Sequence, residues 1–347
     1  MLVTACADSH AVENRQDALA QAGAGAAHGS GVDGGPGSPA DARVNATGEL
    51  SMEQIGQPVS ALTERFLFPE GPVWSAAQDA LYFTDISGDA IYRLKLPDTL
   101  TLLLQPAGQP DGLGLAPDGS IWVAGFGARN VWKLVDGKRV EVVDRYEGKR
   151  FNSPDDVIVR SDGVAYFTDP TFGIDGTIGL PLQDRELDFE GLYRIDAKGG
   201  LHLEDMSIPG PNGVRLSPDE KTLFVSSTTR GSVFAYDIKP DGSLSAPPRV
   251  WNGKLTGADS FCLDERGNLY VATFLGIAIV NAQGVAIGSI PVTGLASNVA
   301  FGGPDRKTLF ITTRAFSSRG SMPTGQLLRI DDMPIAGLAP RWLQPGR

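Results

Sequence analysis

From about residue 59 onward, apolar and polar positions alternate in short runs, and these runs recur in a repeating unit. Each unit holds a polar residue, a short apolar strand, a turn and a second strand of alternating character. Alternation with a period of two predicts half-buried β-strands, and Gly or Pro interrupts every window long enough for an amphipathic helix. The clearest copies are Asp111–Val123, Asp155–Phe167, Asn212–Phe224 and Asp259–Val271, and weaker copies begin at Glu70 and Asn298.

Six strand-rich copies at a spacing of about 40 to 45 residues are typical of β-propeller blades of about four strands each. The phase-matched residues 70, 111, 155, 212, 259 and 298 are 41, 44, 57, 47 and 39 residues apart. The long interval predicts an insertion around Gly173 to Glu190, which we expect to form a rim loop or lid. The segment from Val59 to Phe66 is expected to supply the strand that closes the ring. The sequence therefore predicts an all-β fold, a six-bladed β-propeller.

The chain before the repeats has a different character. Residues 8 to about 50 are mostly Ala, Gly, Ser, Asp and Pro, too poor in apolar groups to offset the entropy lost on ordering. We therefore expect a disordered low-complexity leader or tether at 1–55 and a catalytic propeller domain at 56–347. Val3 to Cys6 resembles the lipid-attachment box of bacterial lipoproteins, which makes Cys6 a candidate lipid anchor and favours a periplasmic or secreted protein. A chance match of four residues, with a cytoplasmic protein, is the alternative.

Composition and charge argue against several classes of function. The formal net charge is −11 and no stripe of Lys or Arg is present, so nucleic acid is not an expected partner. No apolar run approaches the ~18 residues of a membrane span. Two cysteines and three histidines are too few for a disulfide framework, a thiolate cluster or a histidine-rich zinc site. We expect Cys262, in an apolar stretch, to be an inert core residue.

One polar position recurs at the start of each blade. In a propeller the innermost strands begin at the central channel, so residues of one repeat phase approach a common axis. Acidic and amide groups gathered there repel one another or lack partners unless a cation or ordered water lies among them. Oxygen ligands suit Ca²⁺ best, with Mg²⁺, Mn²⁺ and Zn²⁺ as alternatives. The six residues are Glu70, Asp111, Asp155, Asn212, Asp259 and Asn298.

A plainer explanation is that Asp and Asn before a strand are turn residues, chosen for local hydrogen bonds. That explanation is adequate for one position and weak for six in phase. Glu70 fits it worst, because Glu is a poor turn former.

Several motifs together resemble the SMP-30/gluconolactonase family, also called regucalcin-like, from about residue 60 to 340. They are Phe68–Trp74, Asn152–Val157, Tyr166–Pro170, Pro211–Gly213, Leu269–Thr273 and Gly276–Val280. The resemblance implies a six-bladed propeller with one catalytic divalent cation and, commonly, lactone hydrolysis. It also implies Glu70, Asn212 and Asp259 as metal ligands, with Asp155 where the family usually has Asn, and Asp259 as general base or nucleophile.

Three positions depart from the family pattern. Asp155 adds a negative charge, which we expect to tighten cation binding. Ser260 replaces the usual Gly after the predicted base, so the local backbone geometry is harder to infer. Ala124–Ala128 lacks the Glu-His pair common in gluconolactonase-like members, which argues against gluconolactone itself as the substrate.

The sequence thus predicts a metal-dependent hydrolase of a small ester-like substrate, with a sugar lactone as the first expectation. The cation would polarise the carbonyl, Asp259 would attack it or deprotonate water, and Asp111, Asn152 and Asn298 would orient the substrate. The alternatives are an organophosphate-hydrolysing propeller and a non-catalytic binding propeller with a structural metal ion. A strictosidine-synthase-like propeller fits less well, because its site is not built on such carboxylates.

Overall fold

The computed structural model describes residues 60–61, 66–315 and 324–344. This part of the chain forms six four-stranded antiparallel sheets and one small hairpin, which is the predicted six-bladed β-propeller. A 3-10 turn, Arg341–Leu343, lies near its end. The described residues include no helix with the length and apolar character of a membrane span.

The first three blades contain twelve strands, and the hairpin follows blade two. Blade one is β2 (Pro69–Ser75), β3 (Ala80–Asp85), β4 (Ala90–Lys95) and β5 (Thr99–Leu104). Blade two is β6 (Leu113–Leu115), β7 (Ile121–Gly125), β8 (Asn130–Val135) and β9 (Lys138–Val143). The hairpin is β10 (Arg145–Tyr146) and β11 (Lys149–Arg150). Blade three is β12 (Val157–Val159), β13 (Ala165–Asp169), β14 (Gly191–Ile195) and β15 (Leu201–Asp205).

The last three blades follow the same order, except that blade six takes its outermost strand from near the start of the chain. Blade four is β16 (Pro211–Leu216), β17 (Thr222–Ser227), β18 (Ser232–Asp237) and β19 (Arg249–Asn252). Blade five is β20 (Phe261–Leu263), β21 (Leu269–Thr273), β22 (Gly276–Val280) and β23 (Ala286–Ile290). Blade six is β24 (Leu295–Gly302), β25 (Thr308–Arg314), β26 (Gly325–Ile330) and β1 (Ser60–Ala61).

The ring closes by antiparallel pairing of β1 with β26. Phe66 adds an isolated bridge to Gly325, with hydrogen bonds in both directions. The closing strand predicted between Val59 and Phe66 is confirmed at the residues that are described. The predicted leader at 1–55 and its candidate anchor Cys6 lie outside the described residues.

The hydrophobic core lies between neighbouring blades. Between blades five and six, Ile279 packs with Val299 and Ile311 in one buried cluster. Between blades two and three, Phe167 and Tyr193 stack with ring centroids 5.0 Å apart inside another. Both faces of each sheet are therefore covered, and the strands need apolar residues on both sides.

The insertion after β13 is a rim loop fastened to two blades. Residues 170–190 contain no strand. From blade three, Asn152 Nδ2 donates to the carbonyl of Phe189 at 2.9 Å. From blade two, Arg129 Nη1 donates to the carbonyl of Asp184 at 2.9 Å. The predicted insertion is confirmed, and its hydrogen bonds are those of an anchored loop.

Candidate active site

The structure gathers the six phase-matched residues around one end of the channel. Five of them are buried, and Asp259 is half-buried. Asn298 Nδ2 donates to Glu70 Oε2 at 2.8 Å, which joins blades six and one. The side chain of Asn212 is hydrogen-bonded to Asp259, and the charges of Asp111 and Asp155 act on one another. These six residues are called the polar ring below.

Local backbone irregularities aim the ring residues. The innermost strands of blades one, four and six each have a register shift at the ring position, between Glu70 and Val73, Pro211 and Val214, and Ala296 and Asn298. A bulge re-aims a side chain out of the regular alternation. Gly71 adopts φ +52°, and a Cβ there would collide with the carbonyl oxygen of Asp111.

Hydroxyl groups on the second strand of a blade hold the ring residue of the next blade. Each hydroxyl donates a hydrogen bond to the backbone carbonyl of a polar-ring residue. This bond satisfies a carbonyl that is not paired with a neighbouring strand, and so it fixes the backbone at the ring position. The pairs are Thr84 Oγ1 to Asp111 at 3.0 Å, Thr168 Oγ1 to Asn212 at 2.6 Å, and Ser226 Oγ to Asp259 at 2.6 Å. Sequence reasoning missed these residues. The available signal was the repeated Tyr-Phe-Thr-Asp at 82–85 and 166–169.

Burial raises the pKa of all four carboxyl groups in the polar ring. Removal from water brings the pKa of Glu70 to about 7, although the hydrogen bond from Asn298 opposes this change. Burial, with repulsion from neighbouring carboxylates, also raises the pKa values of Asp111, Asp155 and Asp259 well above their ordinary range. Without a cation, such a cluster retains protons that free carboxylates lose.

Most of the described chain matches one known protein family. The sequence profile described as "SMP-30/Gluconolactonase/LRE-like region" matches residues 68–315. The chain belongs to this family. Gluconolactonase of Zymomonas mobilis is 33% identical over 288 residues, covering 74% of this chain and 79% of that protein. Pentonolactonase XacC of Haloferax volcanii is 28% identical over 274 residues, covering 74% and 84% respectively.

The solved structures include a gluconolactonase from Xanthomonas campestris that aligns with a TM-score of 0.70 at 30% identity. The alignment covers 79% of this chain and 91% of that one. The SMP-30/gluconolactonase membership inferred from the sequence motifs is therefore confirmed.

The predicted metal ligands of this family member, Glu70, Asp155, Asn212 and Asp259, present only oxygen donors. Asn212 Oδ1 is buried and has no hydrogen-bond partner among the described residues, as expected of an atom that would face a cation. Raised carboxyl pKa values beside it also fit a site that positive charge would relieve. Within the described chain, no three His, Cys, Asp or Glu side chains form a ready-made metal cluster. The donor set fits a hard cation, and the metal site stays a prediction.

The three residues expected to orient substrate are placed differently. Both polar atoms of the Asn298 side chain have partners in the protein. Nδ2 donates to Glu70 Oε2, and Oδ1 accepts from the backbone amide of Val299 at 2.8 Å. Asn152 is fully buried, and its side-chain Nδ2 donates to the backbone carbonyls of Asp169 and Phe189. Asp111 lies within the carboxylate cluster. Asn298 supports Glu70 and Asn152 supports the rim loop, while substrate contact stays a prediction for all three.

Ser260, where the SMP-30/gluconolactonase pattern usually has Gly, joins a buried network behind the ring. Its Oγ donates to Asp156 Oδ2 at 2.8 Å, and Arg215 Nη1 donates to the same oxygen at 2.5 Å. Arg215 Nη2 also donates to Ser260 Oγ at 3.3 Å. We call Asp156, Arg215 and Ser260 the Asp156 network. It ties blades three, four and five together one residue behind Asp155 and Asp259, and sequence reasoning missed it.

Blade two presents an apolar wall where the family commonly has a Glu-His pair. Phe126 is buried and packs with Phe68, Ile86 and Leu180. The rim loop approaches Phe126 so closely that a Cβ on Gly173 would clash with the phenyl ring of Phe126. Polar groups of a substrate therefore find no hydrogen-bonding side chain at Phe126.

Cys262, which the sequence predicts to be an inert core residue, lies on the wall of a cavity. It is half-buried and lines a cavity of about 160 Å³ beside Val73, Leu115 and Ile158, which come from three other innermost strands. These residues follow their ring positions by three or more residues, so the cavity lies toward the opposite end of the channel. Burial raises the pKa of the Cys262 thiol to about 12, which agrees with an inert thiol.

Proposed function

We propose that this protein hydrolyses a sugar lactone at the polar ring with the help of one divalent cation, Ca²⁺ in the first instance. The observation that carries the proposal is the convergence of four carboxyl groups with raised pKa values, three buried and one half-buried, on one channel end. The names of the relatives, a gluconolactonase and a pentonolactonase, support lactones as the substrate class.

Glu70, Asp155, Asn212 and Asp259 would hold the cation. Bound there, it would act as a Lewis acid toward the substrate carbonyl. Asn298 keeps Glu70 oriented by its hydrogen bond, and Ser226 fixes the backbone of Asp259. The chain itself thus preorganises the donors, so little reorganisation is needed when substrate binds.

Asp259 is the general base of the proposal. It takes a proton from water as the water oxygen bonds to the lactone carbonyl carbon, and the ring carbon–oxygen bond then breaks. The proton passes to the departing ring oxygen, giving a hydroxy acid that ionises. Asp259 suits this step because it is half-buried whereas the other ring carboxyl groups are buried, so water can reach it.

The test is a hydrolysis panel of aldono-lactones and phosphotriesters, assayed on metal-depleted protein with and without added Ca²⁺, Mg²⁺, Mn²⁺ or Zn²⁺. We expect lactone hydrolysis that is lost on depletion and restored by a divalent cation. Cleavage of phosphotriesters alone would favour the organophosphate alternative. Absence of turnover on every compound with metal bound would overturn the proposal in favour of a binding propeller.

A further inference from the structure

Arg314 lies at the channel end that holds the polar ring. It is the last residue of β25, opposite Leu295 and Gly325 in the adjacent strands. From Leu295, β24 runs to the ring residue Asn298 within three residues. The side chain of Arg314 therefore emerges beside the mouth of the channel.

An aromatic ring holds the guanidinium in place. The Arg314 guanidinium carbon lies 4.6 Å from the ring centroid of Phe68, a cation–π contact. Phe68 is buried two residues before Glu70, and its backbone amide donates to Asp85 Oδ1 at 2.7 Å. The platform under Arg314 is thus fixed by the segment that carries a ring residue.

The donors of Arg314 have no partner in the part of the chain that the structure describes. Within the described residues, its guanidinium makes no hydrogen bond and no ion pair, and the side chain is half-buried. Burial lowers the pKa of Arg314, whereas the nearby charges of Asp259 and Glu70 raise it. A guanidinium stays protonated in either case, and its planar fork matches the two oxygens of a carboxylate.

We propose that Arg314 forms a carboxylate-binding subsite at the mouth of the channel. This inference rests on the proposed function, because lactone hydrolysis turns a neutral ester into a carboxylate. That carboxylate forms beside the acidic side chains of the polar ring, and Arg314 supplies a positive charge close to Asp259 and Glu70. The carboxylate that binds is either the one formed by hydrolysis or one that the lactone already carries on another carbon.

The experiment compares the unmutated protein with Arg314→Gln, Arg314→Lys and the control Arg249→Gln. Arg249 is an exposed arginine paired with Asp237 on blade four, so the control removes the same charge elsewhere. D-gluconate binding is measured by calorimetry on Ca²⁺-loaded and metal-depleted protein. We expect Arg314→Gln to weaken binding roughly 10-fold or more, the scale of charged hydrogen bonds. The gluconate affinity of Arg314→Lys should lie between those of Arg314→Gln and the unmutated protein. The affinity of Arg249→Gln should equal that of the unmutated protein.

Kinetics then separate the two sources of the carboxylate. If the substrate carries it, D-glucaro-1,4-lactone is hydrolysed with a higher kcat/KM than neutral D-glucono-1,5-lactone, and Arg314→Gln abolishes the difference. If hydrolysis creates it, Arg314→Gln instead raises the inhibition constant of gluconate at unchanged lactone preference. Gluconate binding by Arg314→Gln and Arg314→Lys equal to that of the control would overturn the subsite. Failure to hydrolyse any lactone would overturn the proposed function alone, because the calorimetric comparison does not depend on turnover.

Discussion

Asp259 differs from the other ring residues in its access to solvent. It is half-buried, whereas Asp155 and Asp111 are buried. In the metal-free protein its pKa is raised by burial and by the charge of Glu70. A base must reach the water it deprotonates. Exposure therefore favours Asp259 over its neighbours for that step.

Asp259→Asn should separate catalysis from metal binding. The amide keeps an oxygen for a cation and loses the proton acceptor, so turnover should fall by roughly 100-fold or more while metal affinity falls modestly. Steady-state hydrolysis and metal titration measure the two effects. Asn212→Ala is the comparison, since it should weaken metal binding and regain activity at high metal concentration. Near-normal hydrolysis by metal-loaded Asp259→Asn would move the role of base to Asp155 or Asp111.

Ser260→Ala removes one donor from Asp156 and leaves the ion pair between Asp156 and Arg215 in place. Loss of a hydrogen bond to a buried charge costs about 1.5 to 3 kcal/mol. We therefore expect a lower melting temperature together with reduced kcat, because the residue before Ser260 is the proposed base. Ser260→Thr keeps the hydroxyl, so it should have a melting temperature and a kcat between those of Ser260→Ala and the unmutated protein.

The control for Ser260 is Ser243→Ala, which breaks a solvent-exposed hydrogen bond from Ser243 to Asp241 in a turn. That variant should match the unmutated protein in thermal unfolding and in hydrolysis. If Ser260→Ala behaves like this control, the Asp156 network does not support the ring.

The metal-free protein should lose stability as the pH rises. The folded pKa of Glu70, about 7, lies above its ordinary value of 4.5, so the folded state holds a proton that the unfolded chain releases. This contribution is fully present below pH 4.5 and is lost as pH rises through 7, with a limit of roughly 3 kcal/mol. Thermal unfolding of metal-depleted protein between pH 4.5 and 8 measures it. Glu70→Gln should flatten the slope, and a melting temperature that rises over this range would contradict the assignment.

At the scale of strands and loops, the position of a residue within its repeat predicted the polar ring, because each blade brings the same repeat position to the channel axis. It placed Glu70 and Asn298 in one ring although 228 residues separate them. Phase could not show which side chains meet behind the ring. Asp156 and Ser260 are 104 residues apart and each directly follows a ring position, but they belong to blades three and five, and their contact depends on the width of the channel. Arg314 was equally hidden, because β25 ends outside the repeated motif.

The rim loop gives a test of what Asn152 does. Asn152→Ala leaves the carbonyls of Phe189 and Asp169 without their donor, at a cost of about 1 to 3 kcal/mol. We expect faster tryptic cleavage within residues 170–190 and lower thermal stability. The KM for the lactone should change little. Limited proteolysis followed by mass spectrometry locates the cut.

Asn252→Ala is the matched control for the rim loop. Asn252 Nδ2 donates to the carbonyl of Gly284 at 2.9 Å, in the region of blades four and five. This variant should lower stability without exposing the rim loop to protease. If Asn152→Ala raises KM strongly and leaves proteolysis unchanged, Asn152 contacts the substrate as the sequence first suggested.

For the whole molecule, ring closure depends on a short segment near the start of the described chain. β1 covers β26, and Phe66 bridges to Gly325, so removing both would leave an unpaired strand edge on blade six. The sequence also predicts that the leader contributes no apolar contacts. Two truncations therefore separate the segments: deletion of residues 2–50 should leave melting temperature and turnover unchanged, whereas deletion of residues 2–66 should lower the melting temperature by several degrees and promote aggregation. Calorimetry and light scattering measure both. Equal stability of the two truncated proteins would show that the propeller is held closed by the packing between blades and does not need the pairing of β1 with β26.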